Sequence, residues 1–306
     1  MKAFYCDHFV LPLPPGHRFP MDKYGRLRSR LLSEGVLRAA DLRVPEAATD
    51  EQLLRVHTHA YLRKVIDGDL TQREIKRIGF PWSPEMVERS RRSVGGTLAA
   101  CRAALGDGTA VNLAGGTHHA FPDHGEGFCV FNDVAVALCQ LLADGSITRA
   151  LVVDCDVHQG NGTAAVFKNN PRVFTFSIHG QHNFPFRKQD SDLDLPLADG
   201  TGDEAYLALL DEALWRVVDQ AGADLVVYVS GADAYAGDAL GHLALSKEGL
   251  LARDHLVLAA CRRAGLPVGV VMGGGYAPNI DDIVDIHAAT VAAAAASQAP
   301  AASEAA

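Results

Sequence analysis

The stretch ALVVDCDVHQGNGT, residues 150–163, decides how this chain is read. Its first four residues are apolar, a run too short for a helix and suited to a strand buried on both faces of a parallel sheet. The run ends on Asp154, and Asp156 and His158 follow at alternate positions. If that segment is extended, Asp156 and His158 project to the same side. A glycine-framed Asn161 comes next.

Working outward, the same rhythm recurs. Buried strands are expected at residues 110–113, 150–153, 173–177, 225–229 and 268–272, with helices at 131–143, 203–221, 247–264 and 280–294. Residues before about 108 read as mostly helical, at 21–32, 50–67 and 84–105. Short apolar runs alternating with amphipathic helices predict an α/β fold, a parallel sheet flanked by helices. No internal repeat or Pro/Ser-rich linker divides the chain, so one catalytic domain is expected over residues 1–297, with an Ala-rich flexible tail at 298–306.

The unusual residues fall at one edge of this sheet. His118 and His119 follow the first of these strands, behind Gly115 and Gly116. Asp154, Asp156 and His158 follow the second, Asp233 the fourth, and Tyr276, behind three glycines, the fifth. Ligands in parallel α/β sheets gather at the carboxyl ends of the strands, which places the candidate active site there.

Asp156, His158 and Asp233 offer one imidazole and two carboxylates, a set that leaves a catalytic metal an open position. Zinc is preferred and iron(II) also suits so oxygen-rich a set. A helix cap with surface polar groups would explain the Asp-x-Asp-x-His segment alone. It does not explain carboxylates set directly after apolar strands on two separate segments, since such groups need a compensating cation or donors. The tandem His118–His119 is hard to explain as structure. Histidine titrates near neutrality, so one can take a proton from a water at the metal and return one to a leaving amine. Asp154 and Asn161 are the candidates to orient the two rings. Tyr276 could donate to a developing oxyanion. His124, His179, His182, His242 and His255 are read without a role, mostly as loop or surface residues.

The 306 residues are 48% hydrophobic and 21% charged, proportions that can bury a sizeable core. A formal net charge of −9 argues against a nucleic-acid ligand, which needs a basic face. Asp7 and His8 interrupt the N-terminus before a signal-length apolar run, and no stretch is apolar enough to span a bilayer. The six cysteines form no CxxC pair and read as reduced thiols. A cytoplasmic protein is expected.

The segments HHAFPDHGEGFCVFNDVAVA (118–137), DCDVHQGNGTA (154–164), SGADA (230–234) and MGGGY (272–276) together resemble the histone deacetylase and acetylpolyamine amidohydrolase superfamily. PLPPGHRFP (12–20) and the segment at 183–207 look most like its class IV branch and bacterial relatives. The resemblance implies hydrolysis of acyl-lysine, acetyl or longer, or of an acylated small amine such as an acetylpolyamine. It implies zinc on Asp156, His158 and Asp233, with His119 as general base and acid and His118 as its electrostatic partner. Tyr276 would polarise the carbonyl. Asp154, paired with the first histidine, would also join Ser177 at a structural potassium site. Gly127, Phe128, Phe184 and Gly274 would contact substrate, with Phe184 facing Phe128. Asn161 stands where class I members carry an aspartate behind the second histidine. An arginase-like reading, with two manganese ions, needs a second aspartate where Tyr235 stands. A silenced, acyl-lysine-binding member would have lost one of these side chains, and all are present.

Overall fold

The computed structural model describes residues 1–298. Its strands are β1 (Lys2–Phe4), β2 (Leu42–Arg43), β3 (Thr109–Asn112), β4 (Ala150–Asp154), β5 (Val173–Gly180), β6 (Leu193–Leu197), β7 (Leu225–Ser230) and β8 (Val268–Met272). Among the described residues they form one eight-stranded sheet in the order β2-β1-β3-β8-β7-β4-β5-β6. Every pairing is parallel. The α/β fold read from the pattern is the fold observed.

The five strands read from the sequence are the five contiguous inner ones. All residues of β3, β4, β7 and β8 are buried, which is why they show apolar runs rather than a polar alternation, interrupted at Asn112 in β3. The other three strands carry no such signal. β1 and β2 are three and two residues long. β6 is a half-exposed edge strand that includes Pro196, tolerated there because an edge leaves N–H positions unpaired.

The helices are α1 (Lys23–Ser33), α2 (Asp50–Leu53), α3 (His59–Asp67), α4 (Gln72–Ile78), α5 (Pro84–Asp107), α6 (Asp133–Ala143), α7 (Asn161–Phe167), α8 (Asp203–Ala221), α9 (Lys247–Arg263) and α10 (Ile280–Ala296). Side chains alternate along β4 and so divide the core. Leu151 and Val153 pack with Leu27 of α1, Leu210 of α8, Val257 of α9 and Val291 of α10. Val152 packs with Leu98 of α5 and Leu138 of α6 on the opposite face. A third cluster joins Leu53, Tyr61, Ile78, Phe80 and Phe131, and through Phe131 it abuts the His118–His119 segment.

The single helix expected at 50–67 is broken. α2 ends at Leu53, and α3 starts after Thr58, whose side chain accepts from Tyr61 N at 3.2 Å. Between them His57 is buried, its Nδ1 3.0 Å from the carbonyl of Phe121 and its Nε2 accepting from Asn132 N at 3.1 Å. A contact to the segment that follows His118 and His119 overrides the local helical period. The tail expected from 298 lies, beyond that residue, outside the described residues. Gln298 itself is anchored, donating to the Thr109 carbonyl at 3.1 Å. The described cysteines are all unpaired.

One buried ion pair underlies the carboxyl edge. Arg253 Nη2 lies 2.8 Å from Asp254 Oδ1, both side chains almost fully buried. Arg253 Nη1 donates to the carbonyls of Gly231 (2.6 Å) and Cys155 (3.3 Å). These carbonyls belong to the two segments that carry Asp233 and Asp156. Removing the guanidinium strands the Asp254 charge, a change that costs about 3–5 kcal/mol when a buried pair is broken. Arg253→Met is therefore expected to lower stability by that amount, read as a shift in the urea midpoint.

Candidate metal and catalytic site

Asp156, His158 and Asp233 converge at the carboxyl edge. All three are buried, and one donor atom from each lies within 4.8 Å of the others. His158 Nδ1 is 3.0 Å from Asp156 Oδ1 and 3.1 Å from Asp233 Oδ2. The remaining oxygens are held by backbone donors, Asp156 Oδ2 by Gly274 N at 2.6 Å and Asp233 Oδ1 by Val157 N at 3.0 Å. Each carboxylate is thus aimed by one oxygen and presents the other. Among the described residues this is the single such cluster.

The local backbone differs from the extended segment expected. His158 N donates to Asp156 Oδ1 at 2.9 Å, an aspartate-closed turn. The turn, not strand alternation, brings Asp156 and His158 together. Gly274 is required by crowding, because a Cβ there would sit 1.8 Å from Asp233 Oδ2. Gly274 therefore supports Asp156 and Asp233 as well as lining the inner cavity.

Burial and the nearby Asp156 charge raise Asp233 to about 6. Burial opposes protonation of His158, but hydrogen bonds to Asp156 and Asp233 outweigh it and raise His158 to about 10. Here the two buried carboxylates are compensated by a protonated His158, a place that a bound cation would take over.

The tandem histidines lie beside this cluster, with ring centroids 4.2 Å apart. His118 Nδ1 is 2.6 Å from Asp154 Oδ2, and His119 Nδ1 is 2.7 Å from Asn161 Oδ1. Burial works against charge on both. At His118 the Asp154 and Asp156 carboxylates overcome it and raise the ring to about 9. At His119 burial is reinforced by His118 and His158, holding the ring well below its usual value. Adjacent residues are driven in opposite directions, His118 by the carboxylates of Asp154 and Asp156, His119 by burial and its two histidine neighbours with no carboxylate behind it to offset them.

Tyr276 completes the enclosure, its ring centroid 6.3 Å from that of His158 and its N–H donating to Asp238 Oδ2 at 2.6 Å. Burial, then the charges of Asp233 and Asp156, keep its phenol protonated well above the usual range. An outer cavity of about 410 Å³ is lined by His119, Phe128, His158, Phe184, Leu240 and Tyr276, among others. Phe184 lines it without stacking on Phe128; its ring meets His119 edge-on at 4.9 Å. Phe128 adopts φ 64°, a conformation costly for a bulky residue. It is secured by its N–H to the Ile78 carbonyl at 2.7 Å and by contacts with Phe19 and Phe80. An inner cavity of about 40 Å³ lies among Lys23, Tyr24, His118, Asp156 and Gly274.

Ser177 and Asp154 are register partners on β5 and β4, and Ser177 Oγ is 3.0 Å from His179 Nδ1. His179 is buried, unlike the loop or surface position expected for most of the unassigned histidines; β5 runs three residues farther than the apolar run showed. Four site residues escaped the sequence reading. Lys23 is buried beside Tyr276, 5.6 Å over its ring, and burial lowers it to about 8. Asp238 holds the Tyr276 backbone. Arg77 and Glu126 line the cavity mouth. Glu126 was visible inside the motif at 118–137, but nothing in its spacing shows where its carboxylate points.

The family model described as "Histone deacetylase domain" matches residues 17–292. An uncharacterized protein of Picosynechococcus sp. is 46% identical over 283 residues, 92% of this chain and 94% of that one. The histone deacetylase-like amidohydrolase of Pseudomonas aeruginosa is 33% identical over 287 residues, 87% of this chain and 74% of that one. The solved structure of an HDAC homolog from Aquifex aeolicus superposes with a TM-score of 0.83 over 98% of this chain and 85% of that one. At 23% identity it speaks for the fold alone. On these matches the chain belongs to the histone deacetylase family and is an amidohydrolase of that family.

Proposed function

We propose that this protein hydrolyses the amide bond of an acylated lysine, or a related acylated amine, with zinc held by Asp156, His158 and Asp233. The observation that carries the reading is the opposite electrostatics of His118 and His119 beside one three-residue ligand cluster. Pairs of titratable groups driven apart in this way divide acid and base roles.

The donor set fits the metal: two carboxylates already aimed by backbone N–H groups, and one imidazole, all buried. The same atoms suit iron(II). When bound, zinc supplies Lewis acidity that polarises the scissile carbonyl and makes water a better nucleophile. The chain supplies the rest. Neutral His119 accepts the proton of the attacking water and returns it to the leaving amine. His118, held cationic by Asp154, stabilises negative charge next to it. The Tyr276 phenol donates to the carbonyl oxygen as charge builds there. Phe128 and Phe184 flank the cavity that takes the aliphatic stem of the amine. Potassium on Asp154 and Ser177, and assignment to the class IV branch, rest on resemblance, the latter supported by Asn161 behind the second histidine.

The inner cavity favours a short acyl group. At about 40 Å³ it is a tenth the size of the outer cavity, which suits an acetyl methyl better than a long chain. Acetyl-lysine peptides are expected to react faster than long-chain acyl-lysine peptides in a matched series. Acetylpolyamines in the same series separate small-amine from protein substrates. Metal-replete protein inert toward every member of that panel would overturn the reading.

Tyr276→Phe removes one donor to the oxyanion. Its kcat is expected to fall about 10²–10³-fold with bound zinc unchanged, measured by steady-state kinetics and metal analysis on one preparation.

A further inference from the structure

Asn161 bonds in two directions. Its Oδ1 lies 2.7 Å from His119 Nδ1, and its Nδ2 donates to Glu126 Oε1 at 2.7 Å. Glu126 is held by a turn, with Cys129 N donating to its carbonyl at 2.9 Å and Gly127 N to the carbonyl of Arg77 at 3.2 Å. Its side chain is only 15% exposed, and its other oxygen faces Arg77 Nε and His124 Nε2, each at 4.0 Å.

A carboxamide can be seated either way round, but an ionised carboxylate can only accept hydrogen bonds. Glu126 therefore requires the Asn161 amide nitrogen, which leaves only the amide oxygen for His119. That oxygen in turn requires a proton on His119 Nδ1. We propose that Glu126 is a positioning residue: acting through Asn161, it locks His119 in the Nδ1–H tautomer and leaves Nε2 as the free base. This builds on the reading of His119 as the base. The dyad also answers how an amide serves where a carboxylate would orient the ring directly. The orienting charge stands one hydrogen bond farther out.

The test uses the full chain with ¹⁵N-labelled histidine, His119 being assigned by the signal lost in His119→Gln. Wild type is expected to show one Nδ1–H tautomer at His119. Glu126→Ala frees the amide to rotate and is expected to give mixed tautomers, with kcat about 10–100-fold lower and KM little changed. Glu126→Gln supplies an amide that can itself be seated either way round, so it no longer dictates the Asn161 orientation and is expected to give mixed tautomers as well. Asn161→Asp sets two carboxylates face to face and is expected to lose activity. Adding Glu126→Gln to it supplies a donor and is expected to recover that activity. An unchanged tautomer in Glu126→Ala, or no recovery in the double variant, overturns the proposal. Tautomer changes as described, in a protein that hydrolyses no acylated amine, would uphold the relay and remove the assignment of His119 as base.

Discussion

Asp233→Ala is expected to purify without a tightly held divalent metal and to show no measurable amide hydrolysis. Three protein ligands are the minimum seen in catalytic zinc sites, and Asp233 supplies one of the three donor atoms here. The loss should exceed the roughly 10–100-fold that follows from altering an outer hydrogen-bonding partner of a metal site. Elemental analysis of the purified variant beside wild type measures it. Full zinc occupancy in Asp233→Ala would show that the cluster is not the metal site. The same residue sets a pH dependence. Binding metal displaces the proton of His158, raised to about 10, and Asp233, raised from 3.8 to about 6 by burial and the Asp156 charge, adds a second competing proton as pH falls through about 6. Metal affinity is expected to decline over that window on acidification. In metal-free protein the sign reverses. The raised carboxyl contributes stability that is complete below 3.8 and is lost as pH rises through about 6.

His119→Ala is expected to keep its metal and lose about 10²–10⁴ in turnover, the span that general acid–base catalysis supplies. The ring is not among the three converging ligands, and its Nδ1 hydrogen bond runs to Asn161, away from them. Metal content and kcat should therefore separate in this variant, whereas they fall together in Asp233→Ala. Burial and two neighbouring histidines hold His119 neutral, the state a base needs. His118 is hydrogen-bonded to the Asp154 carboxylate, which favours its protonated form, so it is a poor substitute base. Undiminished turnover by metal-replete His119→Ala would refute the assignment.

Much of this site could be read from residue order. Asp156, His158, Asp233, His118, His119 and Tyr276 each follow a strand whose apolar run is visible, and parallel topology delivers them to one edge. Other features depend on contacts distant in sequence. The Asp50–Asp67 segment keeps a helical period, yet His57 is drawn between Phe121 and Asn132 and breaks it. Asp156 and His158 meet through a side-chain-closed turn, beside which Gly274 and Val157, from segments the local sequence does not link, hold the two carboxylates. Lys23, Asp238 and Glu126 carry no local signature, since a lone charged residue reads as a surface residue until its burial is known.

By itself, then, the order of residues determined the parallel α/β fold, the five inner strands and which residue types gather at the carboxyl edge. Those features follow from local periodicity and from residue types whose chemistry is intrinsic. Tertiary structure alone decided the three outer strands, whose pairing is set by neighbours rather than by their own two to five residues. It also decided the protonation of the two histidines. Adjacent and chemically identical in the chain, they differ in their surroundings: Asp154 and Asp156 stand close to His118, whereas His119 is buried beside two other histidines with an amide, Asn161, behind it. The electrostatic environment depends on distance in space, which the linear order does not contain.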